Sequence, residues 1–378
     1  MNLSDYKSGQ YEQQYEYKSF SPEQINHEWE IADGEVQSLL SEADMALGQL
    51  NAFSQLVPNV EFFIRMHITK EATQSSRIEG TQTNMEEALL DEQDIAPEKR
   101  DDWAEVQNYI EAINTAITGL KSLPLSNRLL KNTHKTLMQG VRGEGKLPGE
   151  FRSSQNWVGV SLKNTVFVPP HHEDVVELMS DLEKFIHNNE LHIPHLIKIA
   201  IAHYQFETIH PFLEGNGRLG RLMIALYFAN FGLLDKPALY LSDYFERNKT
   251  EYVDRLMAVR QSNQLKQWLM FFLHGIRETA ESSIQVFKDT LRLKERLERE
   301  VLPRFSTRRQ ENAQTLMQYL YKVPVLDIKR VSNLLGLKPN TAATLVNDFV
   351  KYGVLYELTG KQRNRIFLFR DYFMIFKR

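Results

Sequence analysis

Apolar residues recur at three- and four-residue intervals along much of the chain, the spacing of helices that bury one face. The pattern predicts helices over Glu35 to Phe53, Val60 to Ser75, Asn84 to Leu90 and Trp103 to Thr118, with Pro58 and Pro97 as breakers. Further helices are expected over Asn127 to Met138 and Val175 to Phe185. Two strongly apolar stretches, Pro194 to Thr208 and Leu219 to Phe231, read as a helical pair joined by a short polar turn. The period changes to two at Trp157, Val158 and Val160 and again at Val166, Phe167 and Val168. The polar stretch Ser161 to Thr165 lies between them, so a short β-hairpin is expected there.

Near residue 300 the pattern restarts. Lys288 to Glu300 is a charge-rich helix, Pro303 breaks it, and a new apolar period begins near Asn312. Asn312 to Tyr321, Asp327 to Leu335 and Pro339 to Tyr352 read as three helices. Gly353 to Tyr356 and Arg365 to Phe369 then read as strands flanking Thr359-Gly360-Lys361, the element order of a winged helix. The expected fold is mainly α in three parts: 1–100 a helical region, 101–300 a helical core with the hairpin, and 301–378 a winged-helix domain. Residues 1–30, rich in Tyr, Gln and Glu, are expected either as an arm folded on the surface or as partly disordered.

Composition narrows the function classes. A chain of 378 residues with 25% charged side chains is that of a globular protein with sizeable cores. It has no cysteine, which excludes disulfides, thiolate nucleophiles and cysteine-based zinc sites and is compatible with a cytoplasmic location. Neither a signal peptide nor a membrane span is expected. Residues 301–378 hold 14 Lys/Arg against 5 Asp/Glu, net +9, so with the whole chain at −4 the first 300 residues carry −13. Lys338, Asn340 and Thr341 at the start of the third tail helix, with Lys361, Arg363 and Arg365 in the wing, make DNA a candidate partner of the tail.

The chemistry concentrates in His210-Pro-Phe-Leu-Glu-Gly-Asn-Gly-Arg-Leu-Gly-Arg221. Glycines at 215 and 217 permit a tight turn onto a helix N-terminus, where backbone N–H groups and the helix dipole favour phosphate. Arg218 and Arg221, three apart, can reach different phosphates of one ligand. His210 suits a general base, Glu214 supplies a hard oxygen for Mg2+, and Phe212 is expected to anchor the turn in the core. His203 is read as a core or capping histidine.

This stretch resembles the signature of the Fic family, His-Pro-Phe-x-Asp/Glu-Gly-Asn-Gly-Arg-x-x-Arg, at every defined position. The resemblance implies an all-α catalytic core and a protein adenylyltransferase, which moves the AMP of ATP to a Ser, Thr or Tyr hydroxyl of a target protein. It also implies roles: His210 as base, Glu214 for Mg2+, and Gly215, Asn216, Gly217, Arg218, Leu219, Gly220 and Arg221 around the phosphates. Ser75-Ser76-Arg77-Ile78-Glu79-Gly80 resembles the family's inhibitory motif, with Ser75 bracing and Glu79 occupying Arg221. The hairpin at Val166, Phe167 and Val168 resembles the target-positioning flap. Tyr244, Asn248 and Tyr252 lie in the region from which such proteins build a wall of the nucleotide site.

Alternatives stay open at this level. The same site can move another nucleotide or phosphate-containing group, or reverse the reaction as a de-AMPylase. A nucleotide-sensing DNA-binding regulator is the reading from another class. Self-modification and a homodimer acting in trans are equally compatible with the sequence.

Overall fold

The computed structural model describes residues 3–56, 61–161, 164–361 and 363–377. Pro58, Val60, Leu162 and Lys163, which carried parts of the expectations above, lie outside them. Residues 3–30, expected either as an arm folded on the surface or as partly disordered, carry a hairpin: β1 (Gly9–Gln13) pairs antiparallel with β2 (Lys18–Pro22), Tyr11 facing Phe20. Tyr6, Phe20, Ile25 and Trp29 are buried, so four apolar anchors hold a segment whose average composition is polar.

The helices that follow are α1 (Gly34–Leu56), α2 (Glu61–Ile78), the short α3 (Met85–Ala88), α4 (Arg100–Gly119) and α5 (Asn127–Leu137). Asn84 starts α3 by accepting from the Glu86 and Glu87 N–H groups, and Glu87 accepts the Asn84 N–H in return. Ser126 caps α5 by a single bond, its hydroxyl accepting the Leu129 N–H. A second hairpin, β3 (Val158–Ser161) with β4 (Asn164–Phe167), leads to α6 (Val175–His187).

At the centre lie α7 (His195–Ile209) and α8 (Asn216–Asn230), joined by the six residues of the glycine-rich turn. Every residue of α7 from Leu196 to Ile209 is buried, so apolar side chains around its whole circumference need neighbours on all sides. These are α6, α8, α1 and the long α11 (Leu265–Glu300), reached through α9 (Ser242–Arg247) and α10 (Lys249–Ser262). Two of the long polar groups caught in α7 find partners: Lys198 Nζ donates to the Asn188 carbonyl at 2.9 Å and Gln205 Nε2 to that of Glu23 at 2.9 Å.

Beyond α11 the chain runs α12 (Thr307–Lys322), β5 (Val325–Asp327), α13 (Ile328–Leu335), α14 (Pro339–Lys351), β6 (Tyr356–Glu357), β7 (Ile366–Leu368) and α15 (Arg370–Lys377). The three strands form an antiparallel sheet with β7 in the middle. The strand expected from Gly353 begins only at Tyr356, because Gly353 turns at φ 75° and the Val354 and Leu355 N–H groups both cap the Phe349 carbonyl. β5 is too short for an alternation to show in sequence. α15 folds back on α2 and α11, with the Phe376 ring 5.2 Å from His67. Among the described residues no helix is long and apolar enough to cross a membrane.

Candidate active site

Asn216 closes the turn between α7 and α8. Its side chain accepts the Phe212 N–H at 2.8 Å and donates to the Phe212 carbonyl at 2.7 Å. Gly215 sits at φ 78°, a conformation costly for a side chain, and His210 adopts the left-handed region at φ 50°. A non-glycine residue held there reflects external restraint. Arg152 supplies part of it, its Nε donating to the His210 carbonyl at 3.0 Å and its N–H to the Pro211 carbonyl at 2.9 Å. Asn156 Nδ2 donates to the Phe212 carbonyl at 2.8 Å. Phe212 is fully buried and stacks on His134 at 3.9 Å.

His134 fixes the far side of the turn. Its Nδ1 accepts the Gly149 N–H at 2.8 Å, so the proton resides on Nε2, which donates to the Glu214 carbonyl at 2.9 Å. Burial lowers its pKa to about 4 and keeps it in that neutral form. His203 does the same from below: Nδ1–H donates to the Gly220 carbonyl at 3.0 Å, leaving Nε2 to accept from the Tyr252 hydroxyl at 2.8 Å. It is a core histidine tying α7, α8 and α10 together.

The two arginines of the turn are both buried, and each faces a carboxylate. Arg221 Nη2 is 2.6 Å from Glu79 Oε1 and also donates to the Ser75 carbonyl at 2.9 Å, while Nε donates to Ser75 Oγ at 2.9 Å. A Cβ at position 217 would collide with the Glu79 carboxylate, so Gly217 gives that carboxylate its seat. Burial works to raise the Glu79 pKa, but Arg221, helped by Arg218 and His210, outweighs it and holds the group below its ordinary value. Arg218 Nη1 pairs instead with Glu105 Oε2 of α4 at 3.2 Å.

His210 is neutral near pH 7. Burial, then the charges of Arg260 and Arg152, push its pKa down to about 4 against the pull of Glu79. The Glu214 carboxylate is half exposed at the mouth of the turn, 3.3 Å from Lys146 Nζ. Among the described residues no three His, Cys, Asp or Glu side chains gather as a metal cage. Of the hairpin residues, Val166 is exposed. Phe167 is buried 4.0 Å below the Arg260 guanidinium, and the Val168 carbonyl accepts the Phe20 N–H at 2.9 Å.

Three residues expected at the nucleotide wall are placed differently from one another. Tyr252 is buried behind Arg221 and occupied with His203. Tyr244 is buried against Gly275, and with Asn248 it lines a groove beside Arg247, Glu251 and His274 to which residues 210–221 contribute nothing. Residues of the site that went unseen in the sequence include Glu105, His134, Asn156 and Glu207. Glu207, one turn before His210, is buried beside Gly220, and burial raises its pKa to about 7 although Arg221 and Arg260 oppose the shift. A single carboxylate in a mostly apolar helix, on the same face as His210, was the signal for it.

Family comparisons agree with this geometry. The Fic/DOC family N-terminal model matches residues 37–118 and the Fic/DOC family model residues 124–228. A protein adenylyltransferase Fic from Aedes aegypti is 40% identical over 140 residues, 37% of this chain and 25% of that protein. One of the same name from Drosophila erecta is 36% identical over 77 residues, 20% of this chain and 14% of that protein. The chain thus matches a quarter or less of the length of these relatives. A crystal structure of a Fic family protein from Desulfovibrio desulfuricans aligns with a TM-score of 0.55 at 19% identity, covering 90% of this chain and 97% of the other. A Fic domain containing signaling protein from Bacteroides thetaiotaomicron aligns at 0.52 and 16% identity, covering 68% and 97%. At such identities the likeness is one of fold. Both family models match in series, so residues 37–118 and 124–228 are Fic/DOC family domains.

Proposed function

We propose that the chain is a protein adenylyltransferase that moves AMP from ATP to a hydroxyl of a target protein and is restrained by its own Glu79. The observation that carries this reading is the Arg221–Glu79 pair at 2.6 Å, beside a neutral His210 and on a turn built for phosphate. Neutral His210 takes the proton of the attacking hydroxyl. The hydroxyl oxygen bonds to the α-phosphorus, the bond from that phosphorus to the bridging oxygen breaks, and pyrophosphate leaves with the electron pair. The N–H groups at the start of α8 and the two arginines face the charge that develops.

Glu214 fits Mg2+ because it offers an accessible hard carboxylate at the turn, and Mg2+ is commonly held by one or two carboxylates together with substrate phosphates. When bound, the ion would neutralise phosphate charge. Glu79 restrains transfer by occupying Nη2 of Arg221, so that ATP entering the site cannot use that donor to align its α-phosphorus. Val166, exposed on the hairpin, suits contact with an extended target segment.

Transfer of label from α-labelled ATP to protein tests the reading, with wild type, Glu79→Gly and Glu79→Gly/His210→Ala compared. Label that rises with the single change and vanishes with the double one is expected. Absence of label throughout, with ATP binding intact, would sink it in favour of another transferred group.

The tail supports a second, separate reading. The order α12, β5, α13, α14, β6, β7 is that of a winged helix, and the positive balance of the tail suits a nucleic-acid partner. Duplex DNA binding by the full chain that weakens steeply with salt is the expected result; binding indifferent to salt speaks against it.

A further inference from the structure

We propose that Glu105 is a positioning residue: it holds Arg218 ready for the phosphates of the nucleotide and ties that arginine to the segment carrying Glu79. The inference rests on the reading of Arg218 as a phosphate contact. Glu105 lies in the middle of α4, and both its side chain and that of Arg218 are only 4% exposed.

Hydrogen-bond satisfaction across this pair is lopsided. Glu105 is engaged on both oxygens: Oε1 accepts from Arg142 Nε at 2.8 Å, and Oε2 accepts from Arg218 Nη1 at 3.2 Å and from Thr81 Oγ1 at 3.0 Å. Three donors from three parts of the chain fix its orientation. Arg218 is the opposite case. Its Nε has no hydrogen-bond partner, and Nη2 meets only the Met138 sulfur at 3.6 Å, a weak acceptor. A buried guanidinium whose donors are left open has been oriented without being satisfied, which suits a group waiting for an anion. It stands in the first turn of α8, where backbone N–H groups are also free for phosphate.

The third donor connects this pair to the brake. Thr81 is two residues beyond Glu79, and the next N–H, of Gln82, donates to Asp102 Oδ2 of α4 at 2.7 Å. One edge of α4 therefore secures both the phosphate-facing arginine and the turn from which Glu79 reaches Arg221. A purely structural ion pair would need neither the open donors on Arg218 nor the bond to Thr81.

The test is nucleotide affinity rather than turnover, measured calorimetrically on the full chain in the Glu79→Gly background. Arg218→Ala, Glu105→Gln and their combination are each titrated with ATP, and with adenosine, which lacks phosphates, by competition. Arg218→Ala and Glu105→Gln should each weaken ATP roughly tenfold. Adenosine affinity should stay within about twofold, and Glu105→Gln should add little once Arg218 is gone. ATP affinity unchanged by Glu105→Gln but reduced by Arg218→Ala overturns the inference, as does a full additional loss in the combined variant. Should Arg218→Ala itself leave ATP affinity unchanged, the phosphate role of Arg218 falls, and this proposal with it. If Glu105→Gln does not fold by circular dichroism, Glu105→Asp, which keeps the charge on a shorter arm, takes its place. A loss confined to ATP then supports the assignment, and unchanged affinity overturns it.

Discussion

Arg218 and Arg221 leave the same helical turn three residues apart, yet their carboxylate partners are of different kinds. Glu79 belongs to the turn after α2, and its side chain is 41% exposed; Glu105 sits within α4 at 4%. Glu79 has water on one side, and Arg221 keeps both of its bonds to Ser75 when the carboxylate leaves, so this pair opens at the lower cost. Glu105 is surrounded by donors that would be orphaned if it moved. Of two neighbouring ion pairs, one is therefore built to open and the other to stay. Burial of the acid, rather than its distance from the arginine, separates them.

The largest expected effect tests the permanent side. Glu105→Ala should destabilise the chain by about 3–5 kcal/mol in urea unfolding, because it leaves Arg218 charged, buried and unpaired. Glu79→Ala should cost less, about 1–2 kcal/mol, because Arg221, though buried, keeps its two bonds to Ser75. Equal losses would erase the distinction. Next in size is the kinetic counterpart: Glu79→Gly should raise label transfer roughly ten- to a hundredfold, the worth of a charge-assisted bond to Arg221. Unchanged rates would mean that the exposed pair opens freely and restrains nothing.

Acid should act on the rigid framework around both pairs. His67 and His203 are pushed down to about 3, and His134 and His210 to about 4, from an ordinary 6.5, each chiefly by burial. Folded pKa values below the unfolded one mean that the folded state binds fewer protons as pH falls below 6.5, so stability declines through that window. His195, also lowered by burial, adds to them, while the raised carboxyls of Asp44, Glu71, Asp94 and Glu207 act in the opposite sense, of which Glu207 alone is moved as far as about 7. The urea midpoint should therefore be lower at about pH 5 than at pH 7, and a flat profile would show these imidazoles to be solvated. The smallest effect sharpens the link between the two pairs. Thr81→Val removes one hydrogen bond to Glu105 and should cost about 1 kcal/mol, with transfer rising slightly as the turn bearing Glu79 loosens.

The turn from His210 to Arg221 was legible in the sequence because its chemistry is contiguous: twelve neighbouring residues carry a base, a carboxylate, glycines and two arginines. Most helices were legible too, α1, α2 and α4 to α6 from apolar spacing and α7 and α8 from long apolar runs. Glu105 was not. In sequence it is one more charge on an amphipathic helix, and only the packing of α4 against α8 turns it inward. The first hairpin was hidden by averaging, because Phe20, Ile25 and Trp29 are scattered among polar neighbours. The placement of Tyr244 and Tyr252 could not be read, because an aromatic in a helix near the site is equally able to face a neighbouring helix, and here both do.

The Phe376 ring of α15 rests on His67, and the Glu71 carboxylate further along α2 is gripped by Tyr109 and by Ser242. α2 is thus a rod clamped at several points, with Glu79 just past its C-terminal end, about 18 Å beyond His67 at the rise of a helix. If Glu79 restrains transfer as proposed, then in mechanical terms the brake is mounted partly on the tail. Proteolytic nicking between β7 and α15 would release one clamp far from any catalytic group, so a partly degraded preparation should look more active than an intact one, and specific activity should be judged only beside a gel showing full-length chain.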